Sequence, residues 1–318
     1  MNPVLKLLAQ RIALSLFLLL MISALIFAGT MILPGDVAQS ILGQSATPEA
    51  LANLRADLGL NDPPLTRYFE WLFGALQGDL GTALTSGQDI TSAIGSRLSN
   101  TLFLAFWAAI IAAPLAIFLG LLAVRYKDRW PDKLISGVTL ASISIPEFLI
   151  GYVLMYLIAV KLRWFPSVAM INDSMSLWQK LNSIALPVAV LTLVVLAHMM
   201  RMTRAAILNV MQSAYIETAE LKGLSTFKVI WRHAFPNSVA PIVNVVMLNL
   251  AYLVVGVVVI EVVFVYPGMG QYLVDHVSKR DVPVVQACGL IFAAVYIGLN
   301  MVADIVSILS NPRLRHPK

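Results

Sequence analysis

Six times along this chain an apolar run of membrane-spanning length passes with at most one charge: residues 12–33, 98–124, 134–160, 181–200, 237–260 and 282–309. A helix rising about 1.5 Å per residue needs roughly 20 apolar residues to cross roughly 30 Å of hydrocarbon, and each run meets or exceeds that length. The surface of a soluble domain has to be covered with polar groups. This chain is 59% hydrophobic and only 12% charged, against about 25% charged in an average soluble domain. A bilayer removes the requirement, so the sequence predicts an all-α polytopic membrane protein with six transmembrane helices, one transmembrane domain over 1–318. Lys6 and Arg11 precede the first run as they would a secretory leader. A leader's apolar core is typically about 7–15 residues, and this run is longer, so a retained helix is expected.

The net charge of +5 is scattered between the runs and forms no Lys/Arg block, which argues against nucleic acid as a partner. The single Cys288 excludes an intramolecular disulfide and a multi-cysteine metal site, and reads as a small buried hydrophobe. With six crossings both termini fall on one side. That side collects Lys6, Arg11, Arg125, Lys127, Arg129, Lys133, Arg201, Arg204, Lys222, Lys228, Arg232, Arg313, Arg315 and Lys318. The short loops of the other side hold Lys161, Arg163, Lys180, Lys279 and Arg280, and a long first loop adds Arg55, Arg67 and Arg97. Positive charge marks the cytoplasmic side, and long loops count little, so both termini are expected there.

Two connections are too long to be simple turns. The extracytoplasmic loop 34–97 reads as two short helices. Thr47 caps the first and Pro48 opens it, with Leu51, Leu54 and Leu58 on one face and Gly59 as its stop. After Asp62-Pro63-Pro64, the segment 65–77 repeats the pattern with Tyr68, Leu72, Ala75 and Leu76, and Gly78-Asp79-Leu80-Gly81 forms a turn. These helices either pack on the membrane face or present a platform to an outside partner. The cytoplasmic loop 201–236 reads as a helix over 205–222, a stop at Gly223, and a second helix capped by Ser225 that runs through Trp231 to Phe235. Its apolar Ile216, Ala219 and Leu224 need cover, either from a groove on another protein or from the chain's own helices.

The stretch Glu217-Thr218-Ala219, three residues, Gly223, nine residues, His233-Ala234-Phe235-Pro236 resembles the "EAA loop" of ATP-binding-cassette importer permeases. Glu217, Ala219, Gly223 and Pro236 match that pattern; Thr218, His233 and Phe235 depart from it without altering the spacing. Further blocks are similar to the dipeptide, oligopeptide and nickel permease group, in family order along the whole chain. They are Leu33-Pro34-Gly35-Asp36, Leu58-Gly59-Leu60-Asn61, Gly78-Asp79-Leu80-Gly81, Arg201-Met202-Thr203-Arg204, Phe264-Val265-Tyr266-Pro267-Gly268-Met269-Gly270, the run Arg280 to Gln286, and Asn311-Pro312-Arg313-Leu314-Arg315.

The resemblance implies a type I importer-like permease half in a bacterial inner membrane, paired with a second homologous permease. It also implies two cytoplasmic ATPase subunits, or one fused pair, and a periplasmic or lipid-anchored solute-binding protein. ATP and Mg would be bound by the ATPases, and this chain has no G-x-x-x-x-G-K-[ST] loop. By the same resemblance Glu217, Thr218, Ala219, Gly223, Leu224 and Ser225 form the coupling segment that meets the ATPase. The group handles peptides most commonly, with nickel chelates, sugars and opines as alternatives.

Three acids lie in or beside apolar runs. Glu147, behind Pro146, either lines the translocation path or sits at an interface with the partner permease. Glu261 is expected at the outer boundary in a structural role, and Asp304 in a helix-packing salt bridge. The rival class is an ion-coupled secondary transporter, which would use Glu147 for coupling; no H-E-x-x-H or G-x-S-x-G motif supports an intramembrane enzyme.

Overall fold

A computed structural model describes residues 3–32, 37–43, 46–57 and 59–310. The blocks at 33–36 and 311–315, Leu58, and the tail charges Arg313, Arg315 and Lys318 lie outside the described residues. The elements, in chain order, are α1 (Pro3–Ile32), α2 (Val37–Leu42), α3 (Pro48–Asp57), α4 (Pro64–Leu76), α5 (Ile90–Arg125), α6 (Trp130–Ser144), α7 (Glu147–Leu154, prolonged by a π-helical stretch Met155–Lys161), α8 (Leu177–Met211), α9 (Ala214–Leu221), α10 (Thr226–Val229, followed by a π-helical turn Ile230–Ala234), α11 (Phe235–Val263), α12 (Met269–Ser278) and α13 (Val282–Ser310).

Five single helices are long and apolar enough to cross a membrane. The third run, expected as one span over 134–160, is instead broken: α6 and the helix from Glu147 to Lys161 meet at 104°. Pro146 is the cause. The residue before a proline is driven out of the helical region, and Ile145 is extended at φ −96°, ψ 129°. The broken pair still passes from one face of the bundle to the other. It starts beside Arg125, whose guanidinium lies over the Phe227 ring at 5.1 Å. It ends in the loop where Ala169 N–H donates to Phe264 C=O (2.8 Å), at the far end of α11. Counting it as one broken span gives six crossings.

α8 is the central helix: 72% of its apolar stretch is buried, against 11% for α1 at the edge. It is opened by a capping box in which Ser176 and Gln179 bond each other's backbone N–H. α5, capped by Asp89 onto Ser92 N–H (2.8 Å), meets α8 through a buried stripe of small residues: Ala108, Ala112, Ala116 and Gly120. Helices in lipid gain little from apolar burial between them and associate through close backbone approach, which small residues permit. At Gly120 a Cβ would stand 2.8 Å from Thr203 Cγ2.

α1 lies along α13. Gln286 donates to Thr30 Oγ1 (2.7 Å) at one end, and Arg11 pairs with Asp304 (3.0 Å) at the other. Asp304 is thus in the expected salt bridge, with a partner on α1. Residues 3 and 310 end up on the same face as α9.

On the opposite face Thr47 accepts from Ala50 N–H (3.2 Å) as expected of a cap, and Gly59 stops α3 at φ 62°. α4 packs one side on α1, where Tyr68 and Trp71 meet the Phe27 ring and Tyr68 OH bonds Ser23 Oγ (2.9 Å). Its other side, with Leu65, Phe69, Phe73 and Leu76, is exposed, and α3 has no buried residue.

Candidate functional site

The segment 201–236 makes one projecting unit on the face that also carries Arg125 and residues 3 and 310. A single helix over 205–222 is not what forms. α8 stops at Met211, and Ser213 adopts an extended conformation (φ −79°, ψ 144°) ahead of α9. Its carbonyl accepts from Ile216 N–H (2.9 Å) and Glu217 N–H (3.3 Å), so the chain turns and a new short helix starts. The stop is where the sequence puts it. Gly223 lies at φ 76°, and Leu224 N–H reaches back to Ala219 C=O (3.3 Å), the bond that closes a helix through a left-handed glycine.

Ser225 holds the position before α10 and accepts through its carbonyl from Val229 N–H (2.9 Å), but its side chain makes no capping bond. α10 is a single turn, and the ladder widens through Ile230–Ala234 into α11, where Pro236 has no N–H to give.

Side-chain burial decides between the two covers open for the apolar residues. Ile216, Ala219, Val229, Ile230 and Ala234 are buried in a cluster with Val124, Ile207 and Ile242, and Leu224 packs against it half-buried. The segment therefore folds back on its own helices through Ile216, Ala219 and Leu224. What it turns outward is Glu217, Thr218, Gly223, Ser225 and an apolar set, Tyr215, Leu221, Phe227 and Trp231, of which Leu221 is 82% exposed.

A charge clamp absent from the sequence reading braces this unit. Arg204 donates from Nε to Asp132 Oδ1 (2.9 Å) and from Nη2 to Oδ2 (2.7 Å). Asp132 also accepts from Asp128 N–H (3.0 Å) and Ser136 Oγ (3.3 Å), and its residue is 4% exposed. A two-pronged guanidinium–carboxylate pair fixes both distance and orientation, here tying α6 to the end of α8. The block Arg201 to Arg204 was its one visible trace in the sequence.

At the far face Glu261 is fully buried and structural, as expected. Thr101 Oγ1 donates to its Oε1 (2.6 Å), and Gly270 N–H (2.7 Å) and Gln271 N–H (3.1 Å) donate to Oε2 at the start of α12. The Tyr266-Pro267-Gly268 turn is tied to α5 by Tyr266 OH on Asn100 C=O (2.7 Å) and Asn100 Nδ2 on Pro267 C=O (2.8 Å). A Cβ at Gly268 would run into the Glu261 carboxylate, and one at Gly270 would stand 2.6 Å from Val258 Cα. The second unforeseen acid, Asp281, is buried and accepts from Leu84 N–H (3.1 Å), Thr85 N–H (2.9 Å) and Thr85 Oγ1 (2.7 Å), pinning the end of the first loop to the start of α13.

Glu147 begins α7 at the break in the third span and is half-buried. It is not brought near the 214–225 unit. Among the described residues Glu147 has no hydrogen-bond or ion-pair partner.

Six crossings, a braced helix–turn–helix on one face and a carboxylate at the break in the third span make a helical membrane protein. Residues 112–316 match the family of binding-protein-dependent transport system inner membrane components, and residues 4–105 match the N-terminal region model of the same transport systems. The chain belongs to this family, and it is a multi-pass inner-membrane permease subunit of an ATP-binding-cassette importer.

It is 35% identical over 312 residues, 98% of this chain and 99% of its relative, to a Brucella abortus (strain 2308) protein named for a peptide transport system permease. It is 36% identical over 300 residues, 94% of this chain and 95% of its relative, to the glutathione transport system permease protein GsiC of Salmonella typhimurium (strain LT2). Among solved structures, the MetNI methionine ABC transporter in inward-facing conformations aligns with a TM-score of 0.47 at 15% identity, covering 68% of this chain and 95% of that one. The family sets aside the ion-coupled transporter reading.

Proposed function

We propose that this chain is one of two permease halves that pass di- or oligopeptides across the inner membrane, with both its termini cytoplasmic. The observation that supports the peptide reading is the end-to-end likeness to relatives named for peptide and glutathione transport. In this reading a second homologous permease completes the path and a solute-binding protein docks over the exposed α3 and α4. Two cytoplasmic ATPase subunits, or one fused pair, bind ATP and Mg, so hydrolysis happens outside this chain.

The coupling contact runs through the outward residues of 214–227: Glu217, Thr218, Leu221, Gly223 and Ser225, with Ala219 and Leu224 holding the segment to the bundle. Closure of the ATPases pushes α9. The buried cluster around Ile216 makes α9 move with α8 rather than bend away from it, and the Asp132–Arg204 clamp carries α6 along with α8. α8 is one continuous helix of 35 residues, about 50 Å long at the usual rise, so a displacement at its inner end reaches the outer face as a rigid-body tilt. Glu147, at the break in the third span, lines the path.

Leu221→Asp tests the contact, because a side chain this exposed contributes nothing to the fold of the isolated chain. The ATPases are expected to stop co-purifying with the variant while its thermal unfolding in detergent stays that of the wild type. Full retention of the ATPases with normal uptake contradicts the assignment.

A further inference from the structure

Between α5 and α10 runs an open groove that no residue of the proposed coupling contact lines. Phe118, Leu122 and Arg125 border it from one face of α5, and Phe227, Ile230 and Trp231 from α10 and the π-helical turn after it. Its volume of about 120 Å³ has room for a slender chain and not for a helix, whose diameter with side chains is about 10–12 Å. The two ends of the groove differ in chemistry. Phe118, 61% exposed, lies seven residues before Arg125, about 10 Å deeper along the helix, within the apolar run 98–124. That end is at hydrocarbon depth, where a water-soluble ATPase does not reach. At the other end the Arg125 guanidinium lies over the Phe227 ring at 5.1 Å and the Tyr126 ring at 5.3 Å. A ring face supplies no oxygen to its five N–H donors, and Arg125 meets no carboxylate among the described residues. Residues 125–133 and 222–232 add the exposed Lys127, Arg129, Lys228 and Arg232, against Asp128 and the Asp132 that Arg204 holds. An occupant that suits both ends has an apolar chain at hydrocarbon depth and an anion at the membrane boundary.

We propose that this groove binds an anionic phospholipid of the leaflet at this end of the bundle, with an acyl chain along Phe118, Leu122 and Ile230 and the phosphate on Arg125. A guanidinium fork matches phosphate oxygens two at a time, and basic pockets beside membrane helices are where anionic headgroups are recognised. Trp231, stacked on Phe235 with ring centroids 5.4 Å apart, supplies the aromatic wall that membrane boundaries favour. A lipid bound there ties α5 to the turns that lead from Gly223 into α11, so the lipid composition of the membrane bears on how firmly the 201–236 unit is held.

The probe is phosphatidylglycerol brominated on its acyl chains, which quenches tryptophan on contact, with brominated phosphatidylcholine as the reference. The full chain, alone and with the subunits that co-purify with it, is reconstituted in phosphatidylcholine vesicles that contain one brominated lipid at a time. The chain has six tryptophans, so the Trp231 signal is taken as the difference between the wild type and Trp231→Phe. Phosphatidylglycerol is expected to quench Trp231 at about fivefold lower mole fraction than phosphatidylcholine, the attraction of one basic residue for an anionic lipid. Arg125→Gln is expected to bring the two lipids level, and Arg125→Lys to keep most of the preference. Equal quenching by the two lipids in the wild type overturns the proposal and needs no variant at Arg125. Absence of Trp231 quenching by either lipid overturns it too, as does its loss in the complex, which gives the groove to a partner subunit. A preference that persists in Arg125→Gln overturns the assignment of the phosphate to Arg125.

Discussion

Removing the Glu261 carboxylate should loosen the outer end of the bundle by a calculable amount. Glu261→Ala takes the acceptor away from Gly270 N–H and Gln271 N–H, both at the start of α12, and from the Thr101 hydroxyl. A buried donor left without an acceptor costs about 1–3 kcal/mol, so the two amides alone cost about 2–6 kcal/mol. Relief from burying a charge offsets part of this, which makes the lower end the working figure. About 2 kcal/mol multiplies the population of the locally opened state roughly thirtyfold.

The chain carries its own reporter. Cys288 is the single cysteine and is 0% exposed, in the cluster that contains Met269 and Tyr272 of α12. Its labelling rate with a thiol-reactive dye in mild detergent measures how often that cluster opens. The Ala variant is expected to label about thirty times faster than the wild type. Glu261→Gln keeps an oxygen for the two amides and is expected to stay within about fivefold. Labelling of the Ala variant within threefold of the wild type refutes the reasoning, and equal rates for Ala and Gln show that charge, not hydrogen bonding, holds the turn.

Asp132→Asn should lower the unfolding temperature in detergent, consistent with about 1.5–3 kcal/mol for hydrogen bonds to a charged group, and adding Arg204→Met should change little more; additive losses contradict a coupled pair. Gly223→Val places a β-branched residue at φ 76°, where such residues are strained, and is expected to leave ATPase turnover in the complex while uptake falls; normal uptake contradicts a coupling role for the turn.

The spans were legible because a bilayer tolerates almost no charge, so the runs between Arg11, Arg97, Arg125, Lys180 and Arg201 mark their own ends. Gly223 was legible because a positive φ is a local property that glycine supplies. The break at residues 145–146 was not foreseen although Pro146 was in view, since a proline inside a span either kinks or breaks a helix according to its packing; Pro114 and Pro187 lie inside unbroken helices. Asp132 and Arg204 are 72 residues apart and Thr101 and Glu261 160 apart, and no local pattern announces such pairs. The same holds for Ile216, Ala219 and Leu224: periodicity says that they need cover, and only the fold shows that the cover is Val124, Ile207 and Ile242.

Under the proposed function this permease works only as part of an ATP-driven assembly. Co-expression with the neighbouring genes, purification through a tag on this chain, and mass spectrometry of what co-elutes test it most directly. A second six-span permease is expected to co-elute, together with ATPase subunits that carry phosphate-binding loops. A chain that elutes alone and drives uptake from an ion gradient without ATP contradicts it.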